Sequence, residues 1–435
     1  MNTQRRTFLK QSAAGAVALA GSTAIARSSA NERVTVGVIG PGGMGSHHVR
    51  ELVKRKDVQV AWVCDVDSQR MGKAAEIVSG ETKIQPRTTS DLRSILDDDN
   101  VDAVFIATPD HWHAPAAIMA LNAGKHVYVE KPCCHNIREG VLMAQAVEHS
   151  GKHLQVGTQS RSADFLMEAM QRIREGEIGE VLVAKAWNSQ RRGSIGKQQP
   201  VDPPAHLDFD TWVGPAPMVP YQSNLLPSAW RWWYDFGCGD IGNDGVHDID
   251  VALWGMGVDG FPSRVTCLGG KYFFDDDQQF PDTQYAVFEY DEKTSTGQNK
   301  QLIFEQRIWS PYKLNGYENG QAFYGTKGYV VMGHTKGWRL YGERDKLIAQ
   351  RDGKLSLEPH HTNFLDCVRG QQKSTNADIG AGTRSATLVH LANIGARTGR
   401  ALNYDGDSHQ ISGDAESNAL VGRKYRDHWS VPEEA

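Results

Sequence analysis

Gly40, Gly42 and Gly45 stand as G-x-G-x-x-G in "VGVIGPGGMG", directly after a β-like run and at the opening of a helical one. That spacing suits a dinucleotide pyrophosphate. The first glycine allows a tight turn, the second lets backbone approach the phosphates, and the third lets the helix pack close on the strand. The first amides of the helix, at Gly43, Met44 and Gly45, then face the anion. An ordinary glycine turn can show the same three residues, and it is the strand before and the helix after that distinguish the two. Asp65 ends the next β-like run, twenty residues beyond Gly45. A carboxylate there accepts both ribose hydroxyls and repels a 2′-phosphate. NAD is therefore expected rather than NADP, with Asp67 as the alternative ribose partner.

An alcohol that gives hydride to a nicotinamide must also lose its hydroxyl proton to a base. Lys131 lies at the carboxyl end of the β-like "HVYVEK", where open α/β sheets place their ligands, and Pro132 fixes the chain after it. Further on, "SAWRWWYDFGCGD" sets Trp230, Trp232, Trp233 and Tyr234 within five residues. Aromatic faces stack on sugar C–H surfaces as readily as they fill cores. Part of this cluster reads as core. At least one member, with Arg231 and with Gln159 or Arg161, is expected to face a substrate, and Trp230 is the candidate. The pairs His47-His48 and His360-His361 read as local caps or surface, with His361 a minor substrate candidate. His111 and His113 lack a third ligand at useful spacing, so no metal site is expected.

These groups need a scaffold, and the hydrophobic pattern supplies one. "VTVGVIG", "VQVAWVCDVD", "VDAVFIATP", "HVYVEKP" and "HLQVGT" read as strands. Between them lie helical stretches: Gly43 to Lys56, a segment from Ser68, "SDLRSILDDD" capped by Ser90, "HAPAAIMALNAGK" and "REGVLMAQAVEHSG". Apolar strands alternating with helices give a parallel, doubly wound sheet, here residues 31–158. A helix at Ala163–Glu175 follows, then longer alternating runs, "EVLVAKAWNS", "RVTCLGGKYFF", "TQYAVFEYD" and "KQLIFEQRIW", and a late helix, "TRSATLVHLANIGARTG". Residues 159–435 thus read as a second α/β domain built on a mostly antiparallel sheet.

The 435 residues are 40% hydrophobic and 23% charged with a net charge of −5. That balance fits a globular chain of two or three domains and argues against nucleic acid, whose binding needs a clustered basic face. Residues 1–30 stand apart. Arg5 and Arg6 precede "QSAAGAVALAGSTAIA", with Ala24 and Ala26 in an A-x-A arrangement. A weakly apolar stretch after paired arginines reads as a twin-arginine (Tat) signal, cleaved after Ala26 or Ala30, and is too short to cross ~30 Å of hydrocarbon. The expected location is the periplasm, or another compartment reached through the Tat export machinery. Six cysteines without CxxC spacing indicate neither a zinc ribbon nor a disulfide framework.

Taken together, "GVIGPGGMG", "ATPDHWHAPAAIMALNAGKHVYVEKP" and "GCGDIGNDGVHDID" resemble the Gfo/Idh/MocA family, and the resemblance covers almost everything after the signal. It implies a Rossmann domain, a second domain whose open sheet forms subunit contacts in a dimer or tetramer, and NAD(P)-linked hydride transfer at a sugar or cyclitol carbinol. It also implies roles. Lys131 of E-K-P bonds the reacting hydroxyl, and Glu130 serves the cofactor side. His113 is the T-P-x-x-x-H histidine, with Thr108, Pro109 and Asp110 forming the turn beneath the cofactor. His247 takes the place of the catalytic histidine. Simple dehydrogenases of the family carry aspartate four residues before it, whereas this chain has Asn243. Asparagine can orient an imidazole but cannot stabilise its charged form as a carboxylate does. Asp244, at i−3, is the available substitute.

An exported enzyme meets no free pool of NAD, so it cycles only if the hydride returns in place. The leading expectation is an oxidoreductase acting on a carbohydrate hydroxyl with tightly bound NAD. The alternative is a redox-neutral glycosidase or lyase. In that cycle a transient ketone acidifies the neighbouring C–H, elimination cleaves the glycosidic bond, and the hydride comes back. A sugar-binding protein with a dead Rossmann domain is the third class, and intact Gly40, Gly42, Gly45 and Lys131 weigh against it.

Overall fold

Six short strands form a parallel sheet in the computed structural model, which describes residues 33–295 and 297–432. They are β1 (Val34–Ile39), β2 (Val58–Cys64), β3 (Arg87–Thr89), β4 (Ala103–Ile106), β5 (His126–Val129) and β6 (Leu154–Val156), in the order β3-β2-β1-β4-β5-β6. The order reverses between β1 and β4, so a crevice opens there at the carboxyl ends of the strands. Successive residues of each strand feed opposite faces. Val36, Val38, Phe105 and Tyr128 pack under the helix Gly43–Leu52. Ile39, Val104, Ile106 and Val129 pack under the helices His113–Asn122 and Ile137–Ser150. Burial on both faces is why these strands read as largely apolar runs, except for the edge strand β3, whose Arg-Thr-Thr is mostly exposed and carries no such signal.

The helix Glu358–Val368, whose start the sequence places near His361, returns from the far end of the chain to cover the first of those faces through Phe364 and Leu365. It carries His360 and His361 inside, and His48 on Gly43–Leu52 is buried with them. The reading of these histidines as caps or surface is therefore corrected. Burial follows from the late helix, which no local signal ties to the first sheet. Ser90 is a second correction. The short helix is Arg93–Leu96, and it is the Asp91 carboxylate that accepts the Arg93 amide, at 3.0 Å.

The second sheet has ten strands: β7 (Val181–Asn188), β8 (Arg264–Gly270), β9 (Thr283–Lys293), β10 (Asn299–Arg307), β11 (Asn319–Gly325), β12 (Tyr329–Gly333), β13 (Gly337–Tyr341), β14 (Leu347–Arg351), β15 (Leu402–Asp405) and β16 (Gln410–Ser412). Their order is β14-β13-β12-β11-β7-β10-β9-β8-β15-β16, antiparallel except for β7 against β10. One face holds the helices Asp164–Arg174, Val246–Met256 and Ile379–Thr398. The other leaves Leu268, Tyr285 and Tyr324 exposed. Between β7 and the helix Val246–Met256 the chain makes a long excursion with its own small core of Trp212, Leu225, Trp230 and Phe236. That excursion arches over the crevice of the first sheet.

Val246–Met256 is buried at every position but Trp254, because it lies between the sheet and the helix Ile379–Thr398. Such a helix must approach the sheet closely. A Cβ on Gly255 would stand 2.3 Å from the Phe323 ring of β11. Gly255→Leu is expected to cost about 1–3 kcal/mol by overpacking, read as a lower urea unfolding midpoint. An unchanged midpoint would show that β11 gives way freely.

Candidate active site

The carboxyl ends of β1, β2, β4 and β5 open into a cavity of about 800 Å³, closed on its far side by the second domain. Gly40 has φ +79°, and a Cβ there would lie 2.8 Å from the Thr108 amide nitrogen. A Cβ on Gly45 would meet the Gly40 carbonyl oxygen at 2.3 Å. Gly45 thus seats the helix on the loop, while Gly40, Gly42, Gly43 and Met44 line the cavity. No side chain caps this helix at Gly42, so its first-turn amides keep their capacity for an anion.

Asp65 and Asp67 also line the cavity. The Asp67 carboxylate is used up in capping the next helix, accepting the Gln69 and Arg70 amides at 2.9 and 3.2 Å, with His206 Nδ1 3.2 Å away. Asp65 accepts the Asp67 amide through Oδ1, at 2.8 Å, and is not drawn into a helix cap. Burial pushes the Asp65 pKa up to about 6, so the group is ionised at neutral pH and able to accept ribose hydroxyls. A glycine cradle that side chains would fill, an uncapped helix start and a carboxylate ending β2 together fit a nicotinamide dinucleotide.

Past β5, Lys131 Nζ donates to the backbone carbonyl of Asn243. Asn243 and Asp244 lie in a turn of π-helix, Ile241–Gly245, that opens the helix bearing His247. A widened turn shifts the register that α-helical spacing would give. The expectation that Asn243 or Asp244 orients the His247 ring is corrected accordingly. The Asn243 side chain accepts from Arg231 Nε at 2.9 Å and donates to Asp240 Oδ1 at 3.1 Å. Asp244 pairs with Arg192, whose Nε reaches Asp240 Oδ1 at 3.0 Å. His247 Nδ1 is left without a partner. Burial, then the charges of Lys131 and His334, hold His247 well below its ordinary pKa, so it presents a neutral imidazole.

His334, in the turn between β12 and β13, is a cavity residue that sequence reasoning missed. Its ring stands edge-on to His247 with centroids 5.0 Å apart, and its Nδ1 lies 3.4 Å from Asp248 Oδ1. Burial opposes a charge on His334, but Asp248 and Asp244 outweigh it and hold the pKa above the ordinary histidine value. Two neighbouring histidines are thus driven apart, one toward the base form and one toward the acid form.

Glu130 lines the cavity, and its Oε1 meets His48 Nε2 at 2.9 Å, while His48 Nδ1 meets His361 Nε2 at 2.9 Å. Burial works against the Glu130 charge, yet His48, Lys131 and His113 prevail and keep its pKa below the usual range. The His113 ring bridges the Thr108 and Pro132 carbonyls, at 2.9 and 2.7 Å, and so fixes the loops after β4 and β5 to each other. Thr108, Pro109, Gln159 and Trp230 line the cavity, with Arg231 stacked on Trp230 at 4.2 Å. Arg161 does not reach it. Its guanidinium is held by the buried Asp250 carboxylate in two hydrogen bonds, of 2.7 and 3.0 Å, so its candidacy as a substrate residue is corrected to a structural tie. Buried Thr108 Oγ1 and Gln159 Oε1 have no protein partner, which leaves them for a ligand.

A doubly wound dinucleotide-binding domain whose crevice is completed by a second α/β domain defines a two-domain oxidoreductase fold. Residues 34–158 match the Gfo/Idh/MocA oxidoreductase-family model for the NAD-binding Rossmann fold, and residues 183–288 and 338–431 match its model for the C-terminal alpha/beta domain. The chain belongs to the Gfo/Idh/MocA family. It is 30% identical over 159 residues to an alpha-N-acetylgalactosaminidase of Shewanella oneidensis, a match spanning 36% of this chain and 35% of that protein. The chain thus matches about a third of the length of such relatives. In fold it is similar to the WlbA dehydrogenase of Bordetella pertussis in complex with NADH and UDP-GlcNAcA, with TM-score 0.63 and 20% identity over 86% of this chain and 99% of that one. The aldose–aldose oxidoreductase of Caulobacter crescentus, complexed with glycerol, gives TM-score 0.65 and 16% identity over 85% and 99%.

NAD affinity is expected to fall as pH drops through about 6, because protonation removes the Asp65 carboxylate that accepts the ribose. Calorimetric titrations at pH 7.5 and 5 would check this, and equal affinities would move the ribose to another residue. Histidine NMR provides a second check. His334 is expected to hold its proton to higher pH than His247, and Asp248→Asn to lower the His334 midpoint. An unmoved midpoint would remove Asp248 as its partner.

Proposed function

We propose that the protein is an oxidoreductase that transfers hydride at a secondary hydroxyl of a sugar or cyclitol, with NAD as a resident cofactor and an exported, oligomeric setting. The observation that carries this reading is the meeting of Lys131, His247 and His334 in the same cavity as the glycine cradle and Asp65. When bound, NAD supplies the hydride acceptor. Lys131, fastened by the Asn243 carbonyl, bonds the substrate hydroxyl oxygen and stabilises the charge that builds there. Neutral His247 accepts the departing proton at its unpartnered nitrogen. Trp230, stiffened by the Arg231 guanidinium, offers a flat wall for sugar C–H groups. Leu268, Tyr285 and Tyr324 on the bare sheet face suit a contact between subunits. The Tat signal lies outside the described residues and stands on the paired arginines and the weakly apolar, A-x-A-bearing stretch after them.

Two facts favour a second, redox-neutral reading at the same site. One is the alpha-N-acetylgalactosaminidase relative. The other is His334, placed by Asp248 to protonate a departing glycosidic oxygen after a transient ketone has acidified the neighbouring C–H. In both readings the cofactor is regenerated in place.

Purified protein given sugars and glycosides but no added NAD is expected to turn over many times per bound dinucleotide. Lys131→Ala is expected to lower that turnover ~10²-fold or more, with NAD content unchanged. A near-wild-type rate would move the proton chemistry elsewhere. Solvent deuterium entering the carbon beside the oxidised one would select the redox-neutral reading. Dependence on stoichiometric external NAD would overturn the resident cofactor in either form.

A further inference from the structure

Asp65 marks where the adenosine ribose is read, so the residues past β3, Ser90 and Leu92, flank the adenine in a site of this order. Two segments of the second domain converge on that end. The first is the stretch around His206. It pairs with the chain leaving β2, the Ser68 amide donating to the His206 carbonyl and the Asp208 amide to the Val66 carbonyl, each at 3.0 Å. The second is the C-terminal stretch. Tyr425 donates its hydroxyl to Glu139 at 2.8 Å. Arg426 then spends its guanidinium on the arching excursion, bonding the Gly214 carbonyl at 2.5 Å and the Asp210 carboxylate at 2.7 Å. Three residues later Trp429 lands on the first domain, with the Arg93 guanidinium 4.3 Å from its ring and Trp112 5.7 Å away.

Trp429 is not buried by this landing. It keeps 39% of its surface free and lines the cavity together with Ser90, Leu92 and Arg70. A large aromatic, held in place by an anchored arginine and a stacked guanidinium and still open to the cavity, offers a flat face where a purine would lie. We infer that the C-terminal stretch Tyr425–Ser430 is a strap closed over the adenine end of the dinucleotide, with Trp429 as its contact face and the His206 segment as the opposite jaw. Resting on the resident-NAD reading above, this explains why the cofactor stays. The strap joins both domains at the end of the ligand that takes no part in chemistry, so exchange requires peeling Arg426 from the excursion while the nicotinamide end remains free to meet substrate.

The test uses the full chain and NAD labelled in its adenine. Bound label is chased with excess unlabelled NAD and followed by rapid filtration. Base–aromatic stacking of the usual size predicts that Trp429→Ala releases NAD ~10- to 100-fold faster, with Trp429→Phe within a few-fold of wild type. AMP binding is expected to weaken by the same factor in Trp429→Ala, and nicotinamide mononucleotide binding to stay unchanged. Arg426→Ala, which leaves the cavity wall intact, is expected to speed release as well, and circular dichroism with gel filtration confirms that each variant is folded. Equal release from wild type, Trp429→Ala and Arg426→Ala overturns the strap. Parallel loss of AMP and nicotinamide mononucleotide binding overturns Trp429 as the adenine face. Wild-type protein that binds no NAD at millimolar concentration overturns the cofactor reading instead, so the two failures are distinct.

Discussion

The ammonium of Lys131, at the end of β5 in the first domain, donates to the backbone carbonyl of Asn243 in the second. Much of the site is arranged around that bond. It crosses the boundary between the two sheets at the point where hydride chemistry would take place, and it fixes the height of the π-turn against β5. The turn in turn sets where His247 emerges and where Asp244 meets Arg192. Because the acceptor is a main-chain carbonyl, the anchor does not depend on which side chain stands at position 243. Asparagine is tolerated there since the side chain has other work, linking Arg231 to Asp240. Arg231 is thereby held flat on Trp230, and the wall expected to face a sugar is braced through the same turn.

On the other side of Lys131 the constraint is electrostatic. Glu130 is buried yet ionised, a state that needs compensation from nearby donors and charges. His48 supplies it from the cradle helix, and His361 supports His48 from the helix Glu358–Val368. The loop that holds phosphates, the strand that presents Lys131 and a helix from the end of the chain are thus joined through three side chains with no water-exposed member. Leaving such a network half satisfied is costly. The rings of Phe105, Tyr128 and Phe364 packed around it exclude solvent that would otherwise relieve the cost.

The parts of the site that were legible in the sequence are those made by neighbours in the chain. Gly40 to Gly45, Asp65 and Lys131 each stand where their own strand ends, so spacing and strand pattern suffice to single them out, whereas the part given to Glu130 was implied by the family resemblance. Arg161 looked equivalent, following β6 as Lys131 follows β5, but its fate was decided by Asp250, a partner 89 positions away. His334 and Trp429 carried no local signal at all: one is a hairpin-turn residue and the other an aromatic near the C-terminus, and only the topology of the second domain brings them to the cavity. The Asn243–His247 spacing misled for a different reason. Four residues imply stacking only on an α-helix, and a π-turn is invisible to periodicity. The fold itself was easier. Two-faced burial writes continuous apolar strands, whereas β11 to β13, set with glycine, and the largely exposed β14 left no comparable pattern.

Enclosure and catalysis place opposite demands on such a crevice, and the structure meets them at different ends. A dinucleotide long enough to reach from Asp65 to Lys131 would lie along the crevice that the second domain closes. At the Asp65 end the joins are many and short: backbone pairing at Val66 and Ser68, the His206–Asp67 contact, and Trp429 against Arg93. Around Lys131 the domains are also joined, by its bond to the Asn243 carbonyl and by His390 against the Cys134 carbonyl, but the buried polar atoms of Thr108, Gln159 and His247 remain unspent. A site closed where binding is needed and uncommitted where chemistry is needed suits a cofactor that stays through many cycles. Under the exported setting proposed above, such an asymmetry would leave the substrate alone to exchange with the surroundings.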